Sequence, residues 1–263
     1  MSNKLYYKTV KVKEIAQKDI TDMFLIFRRY YNNVSEEQFK EDLTKKDAVF
    51  LLFDKKHNLI RGFSTIAEIN FKNYTGVFSG DTIIEKEYWG QGTLGVAFLK
   101  YLFLKKLKNP FRPLYWFLIS KGFKTYLLMA NNFSNHYPRF EKEIDDKHQS
   151  ILDSFANTLY PKDYLTNLGI ISFKDKKKDS LKECIAPISQ EMINSNERIR
   201  YFATKNKNWQ KGDELCCIAE MSLLMPFKYQ YKNIMKQFKK NKKVQERDQK
   251  TSVLGIIKGS QSI

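Results

Sequence analysis

The sequence predicts an α/β fold of the α+β kind, a sheet flanked by helices, in a chain of 263 residues. Three observations carry that prediction. The elements run strand, two helices, three successive strands, helix, whereas a doubly wound parallel fold would alternate strand with helix. Two of the strands, 48–53 and 59–69, are joined by the polar turn Asp54-Lys55-Lys56-His57-Asn58 and so form a hairpin. The last strand of the run, 77–84, leads through Trp89-Gly90-Gln91-Gly92-Thr93-Leu94-Gly95 into an amphipathic helix carrying Phe98, Leu99, Leu102 and Phe103.

Each element has its own signal. Residues 5–12 alternate as a strand, with Tyr6, Thr9 and Val12 as β-formers. Asp19 is expected to cap a helix from Ile20, in which Met23, Phe24 and Phe27 recur at helical spacing. Ser35 and Gln38 make a capping box for a second short helix bearing Phe39 and Leu43. The helix after the glycine turn stops at Asn109-Pro110. Residues 112–121 read as another helix with Gly122 as its C-cap, and 123–130 as a strand. Beyond these come a helix over 147–159, a strand over 169–173, an exposed loop at 174–179, a helix over 189–195 and a strand over 198–204. A polar turn at 206–212 then precedes a helix capped by Asp213 and running through Leu223. Residues 228–243 form a basic helix or tail.

Composition narrows the classes. Apolar residues make up 42% and aromatics 14%, enough for a core. Lys and Arg number 46 against 29 acids, a net charge of +17, which suits an anionic partner or a lysine-rich solvated surface. The cysteines, Cys184 and the vicinal pair Cys216-Cys217, do not form a disulfide framework. No His or Cys spacing suggests a metal site, so none is expected. With no signal-peptide run and no stretch of roughly 20 apolar residues for a membrane span, the expected location is cytoplasmic.

The glycine turn is the most informative stretch. Glycines let the backbone approach a ligand, and the helix behind them offers free N–H groups and the positive end of its dipole. Strand, turn and helix N-terminus together make a phosphate cradle. Gly90, Gly92 and Gly95 fit the spacing G-x-G-x-x-G, but no βαβ succession surrounds them, and no Gly-Lys-Ser/Thr follows to make a P-loop. The alternative is a turn that merely lets helix and strand pack.

Tyr88-Trp89-Gly90-Gln91-Gly92-Thr93-Leu94 resembles the pyrophosphate loop of the GNAT acyltransferases, with Trp89 standing where that family usually has Arg and Leu94 where it has Gly or Ala. The resemblance covers about residues 1–140. It implies a mixed, mostly antiparallel central sheet and direct transfer of an acyl group from acetyl-CoA or a longer acyl-CoA, or an acyl-carrier thioester, to an amine or hydroxyl. It further implies a CoA-binding core over 1–140 with residues 141–263 as an extension on it. The cofactor-binding set is then Ile84, Gly90, Gln91, Gly92, Thr93, Leu94 and Gly95, with Asn131 at the end of the next strand.

Such a reaction needs a group to take a proton from the acceptor and often one to protonate the thiolate. Asp81 and Glu68 are the candidate bases, each inside a strand of apolar or small residues, where burial would raise a carboxyl pKa. The opposing reading is that each faces solvent on an alternating strand. Tyr137 is the candidate acid, or else an aromatic packed beside Pro138, and His136 is a competing base. Glu85, Glu87, His57 and His148 read as solvated, and Cys216-Cys217 as packing residues on an apolar helix face. The expected acceptor is a small-molecule or protein amine.

A contrasting reading keeps the fold as a non-enzymatic basic module that docks on an anionic membrane or nucleic acid. Lys228, Lys232, Lys236, Lys239 and Lys243 are spaced to share a helix face, which suits docking on an acidic carrier protein or an anionic membrane, nucleic acid being the less favoured partner. The same helix could instead pack its apolar side on the domain.

Overall fold

The computed structural model describes residues 4–31, 34–173 and 187–225. Its elements are β1 (Leu5–Lys11), α1 (Gln17–Tyr30), α2 (Glu36–Thr44), β2 (Ala48–Asp54), β3 (Ile60–Asn70), β4 (Thr75–Ile84), α3 (Thr93–Lys108) and β5 (Leu114–Ser120). There follow α4 (Phe123–Asn132), β6 (His136–Tyr137), α5 (Asp146–Leu159), β7 (Tyr164–Leu165), β8 (Ile170–Ile171), α6 (Gln190–Ser195), α7 (Glu197–Lys205) and β9 (Glu214–Glu220). The loop expected at 174–179 and the basic helix at 228–243 lie outside the described residues. By its internal contacts the chain divides into a unit of 1–222 and a unit of 223–263, and every element named above lies in the first.

One sheet runs β1-β2-β3-β4-β5-β9-β8-β7, with β6 also paired to β9. All pairings are antiparallel except β4 with β5. The fold is thus GNAT-like: a mixed, mostly antiparallel sheet reached through strand, two helices, three strands, helix and a parallel strand. A dinucleotide-binding fold is excluded, because the glycine turn follows the fourth strand of an antiparallel run.

Helices cover both faces. Met23, Phe24, Phe27, Phe39 and Leu43 of α1 and α2 bury against Val49, Leu51, Phe63 and Ile83. On the same face α5 inserts Ile151, Leu152 and Phe155 against Phe78, Phe117, Cys216 and Ile218. Phe98 of α3 meets Phe50 at 4.8 Å and Trp116 at 5.2 Å between ring centroids on the opposite face. Helix α2 begins as expected, with Ser35 Oγ accepting from Gln38 N–H at 3.1 Å.

Four elements differ in type from the sequence expectation. Residues 112–121 hold a strand, not a helix. Leu114, Tyr115, Trp116, Phe117 and Leu118 are all buried because β5 is covered on both faces, and a continuous apolar run carries no period. Residues 123–130 lie in a helix, not a strand; Phe123, Tyr126, Met129 and Ala130 bury at helical spacing and Gly122 is the N-cap. Residues 198–204 are helical too, since Asn196 Oδ1 accepts from Arg198 N–H and Ile199 N–H and caps α7. Residues 214–220 are the strand β9, not a helix capped by Asp213, and Cys216 and Cys217 are therefore buried strand residues. A smaller difference is that α1 starts at Gln17, with Asp19 inside its first turn rather than at the cap.

Candidate active site

Strands β4 and β5 pair only over Thr75↔Leu114 to Phe78↔Phe117. Both continue beyond that point, β4 to Ile84 and β5 to Ser120, but they part. Strand β5 keeps its other edge paired to β9 as far as Ser120↔Leu215, so the parting leaves the two inner edges of β4 and β5 facing a cleft. Successive residues of a strand point their backbone groups to alternate sides, so about half of those in residues 79–84 turn toward it.

A bulge shapes the β4 side. The register with β3 shifts from Ser64↔Thr82 to Ile66↔Ser79, which sets Gly80 and Asp81 opposite Thr65. Gly80 keeps the bulge uncrowded, since a Cβ there would lie 2.5 Å from Thr65 Oγ1 and force that side chain to shift. Trp116 Nε1 donates to Ser79 Oγ at 3.1 Å, bridging the two strands where they separate.

The cleft opens at the C-terminal ends of two parallel strands, and each is followed by a helix that begins at a glycine, Gly92 for α3 and Gly122 for α4. Both helix N-termini, with their unsatisfied N–H groups and positive dipole ends, lie at that end of the sheet. Gly90 and Gly92 have φ of 80° and 74°, the left-handed region in which glycine is favoured. A Cβ on either would meet nothing within 4 Å, so the space over the turn is open. Gly95 differs: it sits inside the first turn of α3, 4.0 Å from Leu128 Cδ1 for an added Cβ, and serves helix packing.

Side chains around the turn hold it in place. Gln91 Oε1 accepts from Leu5 N–H at 2.8 Å, and Trp89 Nε1 donates to the Ile84 carbonyl at 2.6 Å. Leu94 is buried, and Thr93 opens the helix half-buried. Lys124 of α4 stands over the Trp89 ring at 4.7 Å, which brings a cation to the glycine turn. An open backbone cradle, a helix N-terminus without a side-chain cap and an adjacent ammonium fit a pyrophosphate.

The titratable groups at the mouth include one that sequence reasoning missed. Glu214, the first residue of β9, follows Gly212, where a Cβ would lie 3.9 Å from Lys121 Nζ. Burial pushes the Glu214 carboxyl up to about 7, Lys121 opposes the shift and the charge of Asp81 adds to it, although the residue keeps some contact with solvent. Tyr160 belongs to the same group; burial holds its hydroxyl protonated, with Glu214 and Asp81 adding to that effect. Glu214 gives no signal in the sequence, where 213–223 reads as a helix and makes it a polar first-turn residue.

The other candidates lie elsewhere. Glu68 pairs with Val77, toward the closed end of β4, and accepts from Tyr101 O–H at 2.5 Å and from Lys105 Nζ. Tyr137 pairs with Ile218 on the far side of β9, three strand spacings or about 14 Å from β4. Its hydroxyl donates to Asp145 Oδ2 at 3.2 Å. Asn131 is the penultimate residue of α4, about 13 Å along the helix from Gly122, and its Oδ1 accepts from Arg198 Nη1 at 2.7 Å. The structure ties Ile84 to the glycine turn through Trp89 and sets Asp81 beside Glu214 and Tyr160, and it leaves Glu68, Tyr137 and Asn131 outside the cleft.

Two groups read as solvated are not, and the competing base His136 is buried as well. Glu85 is buried and pairs with Arg29 at 2.7 Å and Arg61 at 3.4 Å. His148 is buried on α5, its Nδ1 2.7 Å from Asp145 Oδ1. Asp145 is held down to about 2, chiefly by the N–H of His148. His136 is also buried, and burial lowers its pKa, so it is neutral. Burial raises both Cys216 and Cys217 well above the usual thiol range, which disfavours thiolate chemistry. Among the described residues no helix is long and apolar enough to cross a membrane.

No protein-family model and no curated protein sequence matches this chain. Solved structures similar to it include an acetyltransferase of the GNAT family from Bacillus anthracis, at 13% identity and TM-score 0.38, over 52% of this chain and 87% of that one. Another is the GNAT family N-acetyltransferase YhbS from Escherichia coli in complex with CoA, at 15% identity and TM-score 0.36, over 51% and 72%. A Trypanosoma brucei acetyltransferase matches at 10% identity and TM-score 0.39, over 54% of this chain and all of that one, 100%.

Proposed function

We propose that this chain transfers an acyl group from an acyl-CoA to an amine, with a hydroxyl as the alternative acceptor. The observation that carries the reading is the parting of β4 and β5 beyond Phe78↔Phe117 directly in front of the glycine turn and the N-terminus of α3. Gly90, Gln91, Gly92 and Thr93 hold the pyrophosphate through backbone N–H groups, and Lys124 adds its charge. The thioester follows the freed edge of β4 into the cleft, where strand N–H groups polarise its carbonyl.

The carboxylates at the mouth serve the acceptor. Glu214, with a pKa about 7, is the better matched base, because at neutral pH it is partly ionised and still basic. It takes one proton from the attacking amine as the C–N bond forms. The C–S bond then breaks and the thiol leaves as thiolate, close to its own pKa of about 8.5. Asp81 keeps the proton on Glu214 more tightly and offers a second negative charge to a cationic acceptor.

Calorimetry with acetyl-CoA and a long-chain acyl-CoA tests the cradle. Micromolar binding of either, lost in Gly92→Val while the melting temperature stays within a few degrees, supports the reading. No heat from any acyl-CoA with the folded wild type removes it.

A further inference from the structure

Helix α3 is unusual in its outward face. Its buried side carries Leu94, Ala97, Phe98 and Leu102, as expected. The opposite side is also apolar: Val96 is 45% exposed, and Leu104 and Leu107 are 48% exposed each. Phe111, just past the helix end, is 98% exposed. Val96, Leu104 and Leu107 are spaced by eight and three, so they share one face of α3, and Phe111 projects from the turn that follows. A helix that is apolar all round is normally covered on all sides.

The charges around the stripe are of one sign. Lys100 and Lys108 are exposed beside it, and α3 contains no acidic residue. Lys105 and Lys106 are committed inward, to Glu68 and to the Arg112 carbonyl. A second copy of the chain meeting this face would set lysine against lysine. The segment 228–250, with nine Lys or Arg against two acids, is like-charged too. An anionic surface with an apolar layer beneath it meets both features, and a freely projecting Phe suits its headgroup boundary better than a protein groove.

We propose that the outer face of α3, from Leu104 to Phe111, docks on an anionic lipid bilayer, with Leu104, Leu107 and Phe111 entering the headgroup–acyl boundary and Lys100 and Lys108 contacting lipid phosphates. The proposal is independent of the acyl-transfer reading, since the stripe and the β4–β5 cleft are different parts of the molecule.

The test is flotation of the full chain with vesicles of phosphatidylcholine alone and of phosphatidylcholine with about 30% phosphatidylserine, which carry a substantial negative surface potential. Binding to the anionic vesicles is expected to fall steeply between 0.05 and 0.5 M salt, as screening requires at about 10 Å for 0.1 M. Lys100→Gln with Lys108→Gln should weaken it about 30-fold, at about 1 kcal/mol per lysine. Leu104→Gln, Leu107→Gln and Phe111→Ser together should abolish it with an unchanged or higher melting temperature. Emission of Phe111→Trp should shift to the blue on anionic vesicles only. Absence of binding by the wild type overturns the proposal, as does binding indifferent to the triple variant, which would place the contact in the basic C-terminal segment. Concentration-dependent dimerisation lost in the triple variant would instead make the stripe a contact between copies, and a triple variant that melts far lower would make it a face covered by the chain itself; either result overturns the bilayer.

Discussion

Glu214→Gln separates a buried, proton-hungry carboxyl from an ordinary surface one. In the folded chain the carboxyl titrates at about 7, against 4.5 for the ordinary value. Because the folded-state pKa is raised, the folded protein binds the proton more tightly than the unfolded chain between those two values. Stability is therefore full below about pH 4.5 and falls as pH rises through 7. The difference corresponds to a loss on the order of 3 kcal/mol at 1.36 kcal/mol per unit. Glutamine resembles the protonated acid in size and carries no charge. Relative to the wild type it should be near neutral at pH 5 and stabilising by up to about 3 kcal/mol at pH 8. Urea unfolding of both proteins at pH 5, 6, 7 and 8 measures this, with the slope m unchanged. The same variant should lose about 10²-fold or more in turnover if Glu214 is the base. An unfolding difference that stays constant across the pH range would refute the buried carboxyl, whatever the effect on rate.

Other substitutions test other parts. Asp81→Asn should lower the Glu214 pKa, moving the acidic limb of the pH–rate profile down, and a limb that does not move would disconnect the two groups. Glu68→Gln removes the charge paired with Lys105 and leaves one acceptor oxygen for Tyr101 and Lys105 to share, so it should cost stability, about 1–3 kcal/mol by chemical denaturation, while leaving acyl-CoA binding intact. Gly76→Ala places a Cβ 1.7 Å from Phe155 Cζ and should destabilise the fold by at least the cost of overpacking, about 1–3 kcal/mol, read as a lower melting temperature. Arg112 donates to Thr75 Oγ1 at 2.9 Å, to the Tyr74 carbonyl at 2.9 Å, to the Lys72 carbonyl at 3.3 Å and to the Phe71 carbonyl. A lysine there cannot fork to four acceptors, and Arg112→Lys should destabilise by about 2 kcal/mol or more.

The first half of the chain was legible because its elements carry local signals. The hairpin turn at 54–58, the Ser35 cap and the glycines before α3 each announce a boundary, and the structure has those boundaries. In the second half the sheet is fully covered, and coverage erases periodicity. Residues 114–120 and 214–220 are buried on both faces, so nothing in their side chains separates strand from helix. Residues 123–130 differ for the opposite reason: their apolar run reads as a strand, while the helix is selected by packing of Phe123, Tyr126 and Met129. The glycine turn was visible in the sequence; the charged partner of that turn, Lys124, and the carboxyl across the cleft were not. Both depend on which strand stands next to which, and β5 beside β9 is a pairing of residues roughly 100 positions apart that no local pattern encodes.

That pairing also sets the order in which the chain can fold. Strand β5 holds Leu-Tyr-Trp-Phe-Leu-Ile, and its partner on one edge is made only after another 90 or so residues have been synthesised. Until then an apolar strand of seven residues has one row of N–H and C=O groups without its partner, the condition that favours joining another chain edge to edge. A ribosome-bound chain ending before residue 214 is accordingly a species for chaperones to hold, and the carboxyl proposed to take the acceptor's proton arrives with the strand that ends this exposure.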